Sequence, residues 1–251
     1  MSMRLLTLVL LLWGSCSVWA EDVLVTSATT PSGTSVPYVL NAASATPRYV
    51  FILFPGGNGL VDPHMQGDKL VYGKRSNFLL RARPFWVDRE FATIATNSTQ
   101  SEERIQALID DLGVRFPKAK IYLMGTSRGT FDTMALAPYL STRIAGEIHT
   151  SSMNRIASFD GKRFQNRHLV VHHVNDSCHV TGFNAAKTSH TRYGTDFIAI
   201  EGGISEGDPC EAFAHHGYNG IERETTEAIK RWVKQATELP PKRVYPLVHN
   251  A

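Results

Sequence analysis

Ile121-Tyr122-Leu123-Met124-Gly125-Thr126-Ser127-Arg128-Gly129 is the stretch on which the reading of this chain turns. Four apolar residues make a buried-strand run, a glycine-flanked serine interrupts it, and Thr130 to Leu136 is compatible with a helix. By composition alone Gly-x-Ser-x-Gly is weak, since a random chain of this length holds it roughly once in ten cases. The setting gives it weight: strand, sharp turn and helix together hold a serine hydroxyl outward at the end of a sheet strand. Side chains at 125 and 129 would collide with neighbouring elements, and the turn holds Ser127 in a strained backbone conformation. It also aims the Arg128 amide at the helix start, where amide and helix dipole stabilise a developing oxyanion.

Outward from this stretch, short β-rich runs alternate with helical patterns. Val23 to Thr26, Val36 to Leu40 and Tyr49 to Phe54 read as strands, and Phe91 to Thr96 follows a mixed segment. Ser101 caps a helix whose apolar positions Ile105, Leu108, Ile109 and Leu112 repeat at helical spacing up to Phe116-Pro117. That helix returns the chain for a parallel strand at Ile121 to Met124, and a second runs from Arg128 to about Tyr139. Ile144 to His149, His168 to Val174 and Phe197 to Ile200 are further strands, and Ile221 to Ala236 is a closing amphipathic helix. The rhythm is α/β.

Residues 1–20 carry Arg4, the apolar run Leu5 to Trp13 and small residues before Ala20, the order of a secretory signal peptide. The run is too short for a bilayer, which takes about 20 apolar residues, so no stable membrane insertion is expected after cleavage at Ala20. A lipidated Cys16 is the minor alternative. The remaining 231 residues suffice for one domain, read as 21–239, followed by a tail at 240–251 after the helix-breaking Leu239-Pro240-Pro241. Without Arg4, 25 basic residues face 23 acidic ones, a balance that gives no footing for nucleic acid. Export, to a periplasm or outside the cell, implies an oxidising compartment, where the two remaining cysteines, Cys178 and Cys210, are expected to pair.

Strand, Gly-Thr-Ser-Arg-Gly and helix together resemble the nucleophile elbow of the α/β-hydrolase superfamily. The resemblance implies a mostly parallel central sheet flanked by helices, with an acid and then a histidine later in the chain, each on a loop after a strand. Asp176 stands just past the end of the strand His168 to Val174 and fits the acid; Asp160, in a Gly turn, and Asp196, before its strand, compete less well. The base belongs on the loop after Phe197 to Glu201. By resemblance to members with a His-Gly-aromatic segment, His216 before Gly217-Tyr218 is preferred to its neighbour His215. Pro55-Gly56-Gly57-Asn58-Gly59 lies where the superfamily places its second oxyanion donor, and Gly57 or Asn58 is the expected partner of the Arg128 amide. Pro55 departs from the His-Gly-Gly-Gly motif of hormone-sensitive-lipase-like esterases. Ser151 to Asn175 spans only 25 residues, which leaves no room for a large cap domain.

The expectation is therefore a serine hydrolase acting on a small-molecule carboxylic ester through Ser127, His216 and Asp176, without cofactor or metal. An acyltransferase and a non-catalytic binding protein of the same fold are the alternatives. A metal site at His172, His173, Asp176 and His179 is disfavoured because adjacent strand residues point to opposite faces. One of the paired histidines is expected to be a hydrogen-bonded core residue. Asn97-Ser98-Thr99 and Asn175-Asp176-Ser177 match a glycosylation pattern but do not discriminate.

Overall fold

Along Tyr49–Phe54 every side chain is buried, and alternate residues enter two different cores. That is the signature of a strand covered on both faces, and the whole architecture follows from it. A computed structural model describes residues 22–235; the expected signal segment with Cys16 and Ala20, and the tail expected at 240–251, lie outside the described residues.

In chain order the first elements are β1 (Asp22–Thr29), β2 (Ser35–Ala42), β3 (Tyr49–Phe54), β4 (His64–Gln66) and β5 (Lys69–Val71). Two one-turn helices follow, α1 (Phe78–Arg81) and α2 (Arg83–Trp86), then β6 (Phe91–Ala95), α3 (Glu102–Arg115) and β7 (Lys120–Thr126). The second half comprises α4 (Gly129–Leu140), β8 (Gly146–Thr150), β9 (Arg167–His173), α5 (Phe183–Tyr193), β10 (Asp196–Ile200) and α6 (Glu222–Gln235). Eight strands form one sheet in the order β1-β2-β6-β3-β7-β8-β9-β10. From β6 to β10 all neighbours are parallel, and only β2 runs against the rest, pairing antiparallel with β1 on one side and β6 on the other.

Tyr49, Phe51 and Leu53 pack with Trp86, Tyr122 and Trp232 on one face; Val50, Ile52 and Phe54 pack with Leu108, Leu112, Leu136 and Leu140 on the other. Ser101 caps α3 as expected, its hydroxyl accepting from the Arg104 amide. After β3 the chain moves outward to β6 and then crosses to β7 on the other side. The β3–β7 border is therefore a topological switch point, where the loops at the carboxyl ends of neighbouring strands diverge and leave a crevice. β3 ends at Phe54 in register with Gly125, so the Pro55–Gly59 loop and the Ser127 turn are adjacent by construction. No cap domain is inserted among the described residues, and no helix there is long and apolar enough to cross a membrane.

Strand bounds match the sequence reading to within a few residues, but two regions differ from it. The mixed segment before Phe91 contains the β4–β5 hairpin and α1–α2. The helix α5 had no reading of its own: only Ala186 and Ser189 are buried along it, so it lacks an apolar stripe to betray its period.

Candidate active site

Ser127 sits between β7 and α4 at φ +51°, a left-handed conformation that costs a non-glycine residue roughly 1 kcal/mol or more. The flanking glycines are present because nothing larger fits. A Cβ at Gly125 would stand 2.6 Å from Gly129 O, and one at Gly129 would stand 2.3 Å from Phe54 O. The turn is held by Ser127 N–H, which donates to Thr150 O (3.1 Å), and by Thr130, whose amide and hydroxyl both donate to Ser127 O (2.9 and 2.6 Å). Ser127 is half-buried and Arg128 exposed, so the elbow faces outward from the sheet edge.

Asp176 follows β9 and His216 lies on the long loop after β10. The structure brings them together: His216 Nδ1 is 3.0 Å from Asp176 Oδ2, with the carboxylate wholly enclosed and the imidazole nearly so. Thr181 Oγ1 donates to the same Oδ2 (3.0 Å) and lies 3.0 Å from His216 Nδ1, while His172 Nε2 lies 3.2 Å from Oδ2. The Cys178 amide donates to Oδ1 at 3.0 Å. Burial alone would raise the Asp176 carboxyl, but the hydrogen bonds from His172 and His216, the His216 charge and the Cys178 amide outweigh it. The carboxyl is held well below the usual carboxylate range.

Both paired histidines turn out to be hydrogen-bonded core residues, on opposite faces as the strand period requires. His172 Nε2 lies 2.7 Å from Thr181 O; His173 Nε2 lies 2.8 Å from Gly202 O, and its Nδ1 accepts from the Asn175 amide (3.0 Å). His215 stacks on His173 with ring centroids 4.4 Å apart. The weaker acid candidates are also accounted for. Asp160 accepts from the Lys162 amide in a short turn (3.1 Å), and Asp196, the first residue of β10 rather than a residue ahead of it, accepts from Trp232 Nε1 (2.8 Å).

Ser127 Oγ makes no hydrogen bond among the described residues; in unliganded sites such bonds are commonly long and tighten with substrate. What relates Ser127 to His216 is the buried segment Thr150-Ser151. Thr150 O holds the Ser127 amide, and Ser151 Oγ donates to His216 O at 2.6 Å. Tyr218, the aromatic residue of the His-Gly-aromatic segment, accepts from the Ser151 amide (3.0 Å) and donates to Val171 O (2.9 Å). Sequence reasoning missed Ser151, Thr181 and this use of Tyr218, because a serine, a threonine and a tyrosine in loops carry no local signal of such bonds.

In the loop after β3, Gly56 rather than Gly57 lies against Ser127, since a Cβ there would stand 2.9 Å from Ser127 Cβ. Gly57 takes φ +64°, and a Cβ on it would meet the Lys74 ammonium at 2.9 Å, an unforeseen cation at the rim. Gly57 and Asn58 are exposed beside the elbow, and the Asn58 side chain accepts from the Leu60 amide at 3.2 Å.

Cys178 and Cys210 form a disulfide, with Cα atoms 4.6 Å apart, that ties the loop bearing Asp176 to the loop bearing His216. Closing 31 intervening residues contributes roughly 3 to 4 kcal/mol in the chain-entropy model. The double variant Cys178→Ser/Cys210→Ser is expected to lose about that much stability in urea titrations at neutral pH. A change below about 1 kcal/mol would show that the bridge constrains little.

No protein-family profile and no curated protein matches this chain. Solved structures do. An α/β serine hydrolase without lid from Xanthomonas campestris aligns over 88% of this chain and 97% of its own, at 11% identity and TM-score 0.56. The esterase domain of a Rhodothermus marinus protein aligns over 85% and 99%, at 11% identity and TM-score 0.58. An alpha-beta serine hydrolase homologue from Coxiella burnetii aligns over 84% and 97%, at 12% identity and TM-score 0.54. At such identities the likeness speaks for architecture. Sheet order, helices on both faces and these neighbours agree that this chain has the α/β-hydrolase fold, with no cap domain inserted among the described residues.

Proposed function

We propose that this chain is a serine hydrolase that cleaves a carboxylic ester through Ser127, His216 and Asp176. The observation that carries the reading is the enclosed Asp176–His216 hydrogen bond, on loops that follow β9 and β10 at the same sheet edge as the strained serine turn. Because His216 Nδ1 faces Asp176, Nε2 is the atom left to exchange a proton with Ser127 Oγ. Ser127 attacks the ester carbonyl as His216 takes its proton. The amide of Arg128, with that of Gly57 or Asn58, receives the oxyanion. His216 then protonates the departing alkoxide, and water, activated by the same imidazole, releases the acid from the acyl-enzyme. Esterases and serine hydrolases among the structural neighbours support acyl chemistry, and nothing in this route calls for a cofactor. The Cys178–Cys210 bridge and the signal-like residues 1–20 support an exported enzyme.

A fluorophosphonate probe on the folded chain, with p-nitrophenyl esters of graded acyl length, tests the reading. Labelling confined to Ser127 with ester turnover is the expected result. A folded chain that is neither labelled nor active is a binding module, and preferential capture of the acyl group by added alcohol over water marks an acyltransferase.

A further inference from the structure

Beneath α4, away from the loops just described, three metal-ligating side chains meet in the core. Glu147 and His149 are two residues apart on β8 and so share a face, and His168 is the register partner of Glu147 on β9. Glu147 and His149 are fully buried and His168 is 5% exposed; their ligand atoms all lie within 4.8 Å of one another. We propose that Glu147, His149 and His168 form a binding site for a divalent transition-metal ion, Zn²⁺ by the chemistry of the donors.

The hydrogen bonds around the cluster fix which ring atoms carry lone pairs. Thr133 Oγ1 spends its proton on Thr130 O (3.1 Å), so it accepts from His149 Nδ1–H at 2.8 Å, leaving His149 Nε2 unprotonated. Asn166 Oδ1 accepts from His168 Nε2–H at 3.0 Å, leaving His168 Nδ1 unprotonated. These two lone pairs face each other across 3.4 Å with no proton between them. Beside them neither carboxyl oxygen of Glu147 has a partner within 3.5 Å, the Asn166 amide standing near enough to interact with it but beyond that distance. Three acceptors thus converge in a space that water does not reach, an arrangement that costs free energy unless a cation or a proton lies among them.

The dimensions suit a metal. Two nitrogens bound to zinc at 2.0–2.1 Å in tetrahedral geometry are about 3.3 Å apart, close to the 3.4 Å observed. Two imidazoles and a carboxylate match zinc's preferred donors, and each imidazole is oriented through its other nitrogen, as metal-bound histidines are. The other grouping of potential ligands, Cys178, His179 and Cys210, offers no thiolate because its sulfurs are joined in the disulfide. A metal at Glu147, His149 and His168 would tie β8 to β9 and, through Thr133, to the helix that starts at the nucleophile turn. None of this depends on the proposed ester chemistry.

The test uses the full disulfide-bonded chain, loaded with Zn²⁺, freed of excess metal and analysed for zinc by mass spectrometry and for thermal melting. Expected are about one zinc per chain, a melting temperature that falls on chelation, and affinity lower by at least about a hundredfold in Glu147→Gln and His168→Ala. Because either variant is open to misfolding, wild-type chain carrying Co²⁺ gives an independent readout. Two exchangeable, hyperfine-shifted imidazole N–H resonances, from His149 Nδ1 and His168 Nε2, should appear in its NMR spectrum. Absence of stoichiometric zinc, zinc retained in full by both variants, or a Co²⁺ spectrum without those resonances overturns the site and leaves a protonated Glu147 as what fills the cluster.

Discussion

Ser127→Ala is expected to lower the turnover of a p-nitrophenyl ester by on the order of a millionfold while leaving the melting temperature unchanged. The two halves of that expectation have separate grounds. In the proposed mechanism turnover collapses because Oγ is the atom that bonds to the acyl carbon, and neither the oxyanion amides nor His216 would replace it. Stability holds because Oγ makes no hydrogen bond among the described residues, and alanine meets the φ of +51° at about the cost serine does. The Ser127 amide and carbonyl bonds to Thr150 and Thr130 belong to the backbone and survive the change. Rates on purified variant, checked for wild-type contamination, together with a circular dichroism melt, decide it. Near-full activity would remove Ser127 from the chemistry.

The second expectation concerns Asp176→Asn, which should reduce turnover by roughly ten-thousandfold with the fold retained. Asp176 Oδ2 meets His216 Nδ1, Thr181 Oγ1 and His172 Nε2, so a neutral amide there removes the charge that stabilises an imidazolium on His216. An amide NH₂ turned toward Nδ1 would also select the wrong tautomer. A loss of less than tenfold would mean that another group orients His216. The same substitution should alter acid stability. The folded-state carboxyl of Asp176 is depressed, so its contribution to stability is present above the unfolded value of about 3.9 and is lost as pH falls through the lower folded value. Urea midpoints of the wild type should therefore drop on acidification below about pH 4. That part of the slope should be missing in Asp176→Asn, and equal slopes would contradict the assignment.

How much of this was legible in the sequence varies with the reach of the interactions involved. The elbow was legible because its parts are neighbours in the chain: β7, the two glycines and α4 span twenty-one residues, and the collisions that require glycine come from Gly129, Phe54 and Thr133. Asp176 and His216 were legible by order along the chain and by resemblance. The helix α5 was not, since a helix with two buried side chains shows no period, although Gly194 at its left-handed C-cap was a local sign of its end. That Gly56 abuts Ser127 was not legible either, because only the β3–β7 register decides which glycine of the loop stands against it. The same limit hid Thr181, Ser151 and Glu147, whose significance rests on residues from 2 to 67 positions away.

By itself, then, the amino-acid order determined the α/β rhythm, the strained serine and the chemical types available at the sheet edge, all through steric and periodic rules acting within a few residues. Tertiary structure decided which of those groups meet. Strand order β6-β3-β7-β8-β9-β10 sets Pro55–Gly59 against the elbow, closes Asp176 on His216, and leaves Glu147 facing two imidazoles in the core. Such meetings depend on register between strands far apart in the chain, and register follows from the packing of both sheet faces together, a property no single segment carries.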